Sequence, residues 1–112
     1  MKIKTLLSIT ILCIGLMTNA QAEVVSQAYE VALSDLRAPA NENGTAAFKE
    51  CSTCQYKVVR VTSATRYTIS QRAVRLEEFR KAIRAATNRE NTAVTVLHHL
   101  ASDTIEAINV SL

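Results

Sequence analysis

Apolar residues recur with two different periods along this chain, and each period predicts a different element. Between residues 23 and 38 they lie three to four apart, from Val24 to Leu36, which predicts a short helix; a strand is the rival interpretation. Pro39 ends this segment, and the asparagine-rich stretch up to Gly44 predicts a turn.

The middle of the chain changes to the alternation that is typical of strands. β-Branched residues alternate there, so that Val59 and Val61 share one face. The polar residues 70–72 predict a turn. Together these features predict a small antiparallel meander with one apolar and one basic face. The predicted strands are 45–50, 56–62, 65–69 and 73–75.

Residues 76–87 carry the clearest helical pattern. Glu77 and Glu78 lie in its first turn and Arg84 lies near its end, an arrangement that the helix dipole favours. Apolar residues three and four apart form one stripe. The members of that stripe are Leu76, Phe79, Ala82, Ile83 and Ala86.

The last part of the chain predicts one more strand and one more helix. Valines alternate over residues 92–97, which indicates a strand. Ser102 or Asp103 would then cap a final helix, since Asp103 and Glu106 have the spacing of a capping box. The apolar stripe of that helix would be Ile105, Ile108 and Leu112.

This order of elements predicts the fold class. Helix, strands, helix, strand and helix in succession indicate an α+β fold, in which two or three helices pack on a small antiparallel sheet. Residues 23–112 are enough for one such domain and too few for two.

Residues 1–22 have the three parts of a cleavable signal peptide. Two early lysines come first, and an uncharged run over residues 6–17 follows, too short to span a bilayer. Ala20 and Ala22 then supply the small side chains that signal peptidase requires. We therefore expect cleavage after Ala22, a periplasmic location and no retained membrane anchor.

Charge is unevenly distributed over the chain. Residues 57–90 contain nine basic and three acidic residues, although residues 23–112 together carry a net charge of only +1. Such a block could meet an anionic ligand or protein in the periplasm; alternatively, it is a solvated face paired with nearby acids. We expect no nucleic acid, which an exported protein rarely meets. The residues of the predicted anionic-partner surface are Lys57, Arg60, Arg66, Arg72 and Arg75.

Cys51 and Cys54 form the one candidate for cysteine chemistry after export. Oxidising surroundings favour a disulfide between them, which could be a local structural staple or a thiol–disulfide exchange site. Glu50 and the strand that follows the pair argue against exchange. Metal binding is a third alternative, with His98 or His99 as a further ligand. Neighbouring strand residues point to opposite faces, so at most one histidine could join the pair.

The sequence shows no other arrangement that supports catalysis. It has no Ser/His/Asp arrangement, no glycine-rich phosphate loop and no paired-carboxylate motif. We therefore expect no catalytic residues, no bound metal and no cofactor. These observations favour a non-enzymatic binding or interaction module over an enzyme.

Four segments resemble small exported proteins of Gram-negative bacteria. One is the FxxCxxC stretch formed by Phe48, Cys51 and Cys54; the others are residues 65–69, 74–79 and 92–100. The resemblance extends over most of residues 23–112. It implies a periplasmic location, and it implies neither an activity nor catalytic residues.

Overall fold

A computed structural model describes residues 25–112 of the chain, so the predicted signal peptide lies outside the described residues. In the described part, eight strands and one α-helix follow one another, with short 3₁₀ segments at Leu33–Asp35 and Arg89–Asn91. The strands are β1 (Ser26–Ala32), β2 (Leu36–Arg37), β3 (Thr45–Phe48), β4 (Lys57–Arg60), β5 (Arg66–Ile69), β6 (Arg72–Val74), β7 (Ala93–His99) and β8 (Thr104–Val110). The helix, α1, is Leu76–Ala85.

All eight strands join one mixed sheet in which β8 is central. Along one edge β8 pairs antiparallel with β7, and along the other it pairs parallel with both β4 and β5. These two strands lie end to end, since Arg60 is opposite Thr104 and Arg66 is opposite Ala107. Beyond them, β3 pairs with β4, and β6 pairs with β5.

The predicted α+β class, with two or three helices on an antiparallel sheet, is therefore wrong. The described residues form a mostly β structure with a mixed sheet and a single α-helix. The predicted meander is wrong in one respect: β4 and β5 do not pair with each other, because both use β8 as their partner.

The predicted helix over residues 23–38 is also wrong, because this segment forms β1 and β2. Tyr29, Val31 and Leu33 are buried at every second position, and β1 pairs with β7 over its whole length. Ala28, Ala32 and Leu36 lie four apart in the same segment, so its apolar residues also satisfy a helical spacing. Tertiary pairing decides between the two periods.

The predicted C-terminal helix is wrong because a β-bulge imitates its spacing. Ile105 and Ile108 lie three apart, yet both are buried on the same face of β8. Leu97 and His98 are consecutive on β7 but pair with β8 residues that are two apart, which leaves Glu106 as the extra residue. The bulge therefore shifts the strand's alternation by one position.

Asp103 does not cap a helix either. Its φ is 55°, a left-handed conformation that suits the turn between β7 and β8. Its carboxylate lies 2.7 Å from Nε2 of His98. Asp103 is therefore a turn residue.

The other predicted helix and strands are confirmed. The helix predicted at 76–87 is α1, and the strands predicted near residues 45–50, 56–62, 65–69, 73–75 and 92–97 are β3 to β7. The predicted turn at 70–72 is the tight connection of the β5–β6 hairpin, where Ser70 and Gln71 have φ values of 49° and 73°.

One face of the sheet and α1 enclose the core. Phe79 of α1 packs on Tyr67 with the ring centroids 5.1 Å apart, and Tyr29 packs on Phe48 at the same distance. On the opposite face, which α1 does not cover, Glu106 accepts a hydrogen bond from the Ser26 hydroxyl at 2.6 Å. We call the face that α1 covers the inner face, and the opposite one the outer face.

Single substitutions of Ile108 and of Leu112 distinguish the observed strand β8 from the predicted C-terminal helix. Ile108 is fully buried, whereas Leu112 is 52 % exposed. We expect Ile108→Ala to lower the free energy of unfolding by about 2–5 kcal/mol, and Leu112→Ala to change it by less than about 0.5 kcal/mol. Chemical denaturation measures both. Equal large losses would contradict the strand, because a helix would bury Leu112 beside Ile108.

Candidate binding groove beside the helix

The β5–β6 hairpin leads directly into α1. Arg75 is the residue before the helix, and its extended backbone turns the chain so that α1 crosses the inner face. Leu76, Phe79 and Ile83 bury one face of α1 against the sheet. The remaining helix positions are thereby divided between two sides.

The cationic residues of α1 lie on one of these sides. Successive residues are about 100° apart around the helix axis, which places Arg80, Lys81 and Arg84 on the same side of the buried face. Arg80 and Arg84 are one turn apart and therefore adjacent on the helix surface. The other side carries Glu78, Ala82 and Ala85. Glu77 lies on the same side as the three cations, so that side of the helix keeps an excess of positive charge.

The loop between β2 and β3 forms a second wall opposite this basic side. Nη1 of Arg80 donates a hydrogen bond of 3.4 Å to the Ala40 carbonyl, which joins the two walls. Between them is a groove of about 520 Å³, which we call the α1 groove. Its lining residues are Ala40, Asn41, Glu42, Arg75, Leu76, Glu77, Arg80, Lys81 and Arg84.

A smaller depression of about 180 Å³ lies on the other side of Arg80 and Arg84. Arg89 lines it too, and its guanidinium donates to the Ile83 carbonyl near the end of α1. No acidic residue lines this depression. The basic side of α1 therefore continues beyond the groove.

The cations of the α1 groove have no acidic partner among residues 25–112. Arg75, Arg80, Lys81 and Arg84 make no ion pair there. Glu42 and Glu77 also line the groove, so its four cations exceed its acids by two. The groove therefore keeps a net positive charge that a bound anion could neutralise.

The residues of the predicted anionic-partner surface do not lie together. Arg60 and Arg66 belong to the outer face, and Arg66 pairs with Glu106 at 3.6 Å. Arg72, by contrast, reaches Glu78 of α1 at 3.0 Å. Lys57 lies over the ring of Tyr29 at 5.4 Å from its centroid, which leaves Arg75 as the one member that lines the α1 groove.

Sequence reasoning therefore missed the residues that form the basic side of the groove. Arg80, Lys81 and Arg84 lay in the basic block, but they were not chosen as site residues. The available signal was their position on one side of the apolar stripe of α1. A helical projection of residues 76–85 would have shown it.

A second cavity, of about 460 Å³, adjoins the groove at the start of α1. Glu42, Arg75 and Leu76 line both spaces, and Tyr67 of β5 lines only the second. Burial, and to a smaller degree the negative charge of Glu42, raises the pKa of Tyr67 to about 12. The phenol therefore keeps its proton at neutral pH.

Cys51 and Cys54 lie at disulfide-bonding distance, in the position where a CxxC disulfide was predicted. They occupy the exposed β3–β4 loop, with their Cα atoms 5.1 Å apart. The Thr53 hydroxyl is 3.6 Å from Sγ of Cys51, and Nζ of Lys49 donates to the Ser52 carbonyl at 3.3 Å. A turn and then β4 follow the pair, so it is not at the N-terminus of a helix.

The two histidines are engaged near the β7–β8 turn. Nε2 of His98 is 2.7 Å from Asp103, and Nδ1 of His99 is 2.9 Å from the Ser102 hydroxyl. Among residues 25–112, no three His, Cys, Asp or Glu side chains are grouped so as to hold a metal ion. The arrangement gives the metal-binding hypothesis no support.

Comparisons of the chain with protein-family models, curated proteins and solved structures found no match. In residues 25–112, no helix has both the length and the apolar character needed to cross a membrane.

Proposed function

We propose that this protein is a small exported binding module that holds an anionic partner in the α1 groove and has no enzymatic activity. One observation carries the proposal: Arg80 and Arg84 line both depressions beside α1, and neither has an acidic partner in the described chain. Uncompensated arginines on one side of a helix are suited to phosphate or carboxylate groups, because a guanidinium donates two parallel hydrogen bonds to such oxygens.

The length of the basic side indicates what kind of anion fits. From Arg75 to Arg84 the helix rises by on the order of 13 Å. A single phosphate would occupy only part of that length. The partner therefore carries several negative groups, as a phosphorylated glycan or an acidic protein segment does. Salt should weaken such a contact, because exposed charges are screened.

A periplasmic location is part of this proposal. The signal-like residues 1–22, the Cys51–Cys54 pair and the resemblance to exported proteins of Gram-negative bacteria support it. Anionic glycolipids and acidic proteins carry several negative groups of the kind that the groove would bind in that compartment. Binding there needs no catalytic group.

Thiol–disulfide exchange through Cys51 and Cys54 is the second candidate function. Exposure of both cysteines favours it, since a partner thiolate could reach either sulfur. The β3–β4 loop disfavours it, because no helix N-terminus is present there to stabilise a thiolate.

The redox midpoint of the cysteine pair distinguishes a staple from an exchange site. The purified protein is equilibrated in glutathione buffers, alkylated and weighed by mass spectrometry. We expect a midpoint below about −300 mV, as structural disulfides have. A midpoint above about −230 mV would instead support exchange, because labile pairs lie in that range.

Binding of a soluble polyphosphate tests the α1 groove. Inositol hexakisphosphate is titrated into the purified protein by calorimetry, at low and at physiological salt. We expect Arg84→Gln to weaken binding by about three- to tenfold, because one charged contact is lost.

Arg60→Gln is the matched control, since it removes the same charge from the outer face. We expect it to change the affinity by less than about twofold. Equal losses in the two variants would show attraction to net charge rather than binding in the groove. No binding at low salt would also contradict the proposal.

A further inference from the structure

The small depression beyond the α1 groove, of about 180 Å³, is lined by three arginines and no acid. None of the three makes an ion pair among residues 25–112. Arg80 and Arg84 are one turn apart on α1, and like charges at that spacing repel each other. Positive charge is thus concentrated in a small space. We call it the arginine depression; its lining residues are Leu36, Ala38, Arg80, Ile83, Arg84 and Arg89.

Two of the three arginines are held in place by backbone carbonyls. Nη1 of Arg80 donates to the Ala40 carbonyl at 3.4 Å, and Nη1 of Arg89 donates to the Ile83 carbonyl. Both side chains are half-buried, whereas Arg84 is exposed. A guanidinium has five N–H donors, so each fixed arginine keeps donors for a ligand. Binding to groups already in position loses less conformational entropy.

Arg89 also offsets a feature of α1 that disfavours anions. The last carbonyls of a helix carry partial negative charge, and the depression lies near that end of α1. The Ile83 carbonyl is in the last turn, and it accepts hydrogen bonds from the Arg89 guanidinium and from the Ala86 amide. The positive charge of Arg89 therefore lies directly against this carbonyl. The arginine depression stays positive despite its position at the end of the helix.

The rest of the arginine depression is apolar. Leu36, Ala38 and Ile83 supply its other lining residues, and both Leu36 and Ile83 belong to the core. Apolar surface on one side reduces the hydration of a bound charge and strengthens its attraction to the guanidinium groups. The small volume limits the ligand part that enters to a single anionic group.

We propose that the arginine depression binds the phosphate group of a phosphate monoester. A phosphomonoester carries between about 1.5 and 2 negative charges at neutral pH and has three terminal oxygens. Each of the three guanidinium groups can therefore donate to an oxygen of its own. A carboxylate has two oxygens and one charge, and a sulfate monoester has three oxygens but one charge. Both would leave more of the positive charge unbalanced.

This inference rests on the proposed function and names the anionic group that one end of the partner carries. Arg80 and Arg84 line both the arginine depression and the α1 groove, so the two spaces adjoin. A phosphate in the depression leaves the rest of the partner free to extend along the groove. Of the two kinds of partner considered above, a phosphorylated glycan fits this arrangement. An acidic protein segment does not, because its anions are carboxylates.

The test is a titration followed by ¹H–¹⁵N NMR at about pH 7.5, where a phosphomonoester is close to a dianion. The matched probes are glucose 6-phosphate, glucose 6-sulfate and glucuronate, which place different anions on the same carbon of one sugar. We expect glucose 6-phosphate to give saturable shift changes at the amides of Ala38, Arg84 and Arg89. The other two should bind at least about fivefold more weakly, since each carries a single charge.

Two results of this titration would overturn the proposal. One is the absence of saturable changes with glucose 6-phosphate. The other is equal or tighter binding of glucuronate, which would favour an acidic protein segment as the partner.

Arg89→Gln tests the site itself, because Arg89 lines the arginine depression and does not line the α1 groove. We expect it to weaken glucose 6-phosphate binding by about tenfold through the loss of a charge-assisted hydrogen bond. Lys81→Gln is the matched control, since Lys81 lines only the groove. It should change this affinity by less than about twofold. Unchanged affinity in Arg89→Gln would overturn the proposal.

Arg84→Gln provides a second variant if Arg89→Gln does not fold. Arg84 is exposed and makes no ion pair in the described chain, so its replacement should leave the fold intact. We expect glucose 6-phosphate binding to weaken by about three- to tenfold in this variant. Unchanged affinity would again overturn the proposal.

The same variants separate failure of this inference from failure of the proposed function. Suppose that Arg84→Gln weakens inositol hexakisphosphate binding more than Arg60→Gln does, while Arg89→Gln leaves glucose 6-phosphate binding unchanged. The groove would then stand and the phosphate site would be overturned. If Arg89→Gln weakens glucose 6-phosphate binding, while Arg60→Gln and Arg84→Gln weaken hexakisphosphate binding equally, the phosphate site stands and the groove proposal fails.

Discussion

The pairing of β8 with three other strands is the constraint on which the rest of the structure depends. β8 holds β7 on one edge and both β4 and β5 on the other, so it joins the two halves of the sheet. The Thr65 hydroxyl donates to the Ile105 carbonyl in the gap between β4 and β5, which satisfies a backbone acceptor that neither strand reaches. Strands on both sides of β8 thus contribute residues to one buried inner face.

The position of the candidate sites beside α1 follows from that pairing. β5 is held against β8, and its hairpin with β6 places α1 across the inner face, where Phe79 meets Tyr67. Since α1 must bury its apolar stripe there, its basic side has to face the loop that contains Ala40 and Glu42. The α1 groove and the arginine depression are both consequences of how the helix is oriented.

The elements that could be predicted were those whose apolar pattern fits only one type of secondary structure. Phe79 and Ile83 have helical spacing with no competing alternation, and Val59 and Val61 alternate with no competing helical stripe. The wrong predictions fell on segments whose apolar pattern fits both a helix and a strand. In β8, the bulge at Glu106 gave Ile105 and Ile108 a helical spacing, and only the register with β7 reveals it.

The candidate sites show the same division between local and non-local information. Cys51 and Cys54 were identified because their spacing is local. Arg66 and Arg75 are close in sequence, but strand pairing and the β5–β6 turn place them on different faces of the sheet. No local sequence pattern indicates that these two arginines lie on different faces. The arginine depression could not have been predicted either, because Leu36 and Ala38 join the residues of α1 only in the folded chain.

The orientation of α1 concentrates positive charge without acidic partners in one groove of the described chain. Mapping of amide shift changes on the structure, with inositol hexakisphosphate as the probe, tests it most directly. We expect the changes to cluster in residues 40–42 and along α1, while the outer-face amides of Arg60 and Arg66 keep their positions. Changes centred on the outer face, or spread evenly over all basic residues, would contradict it.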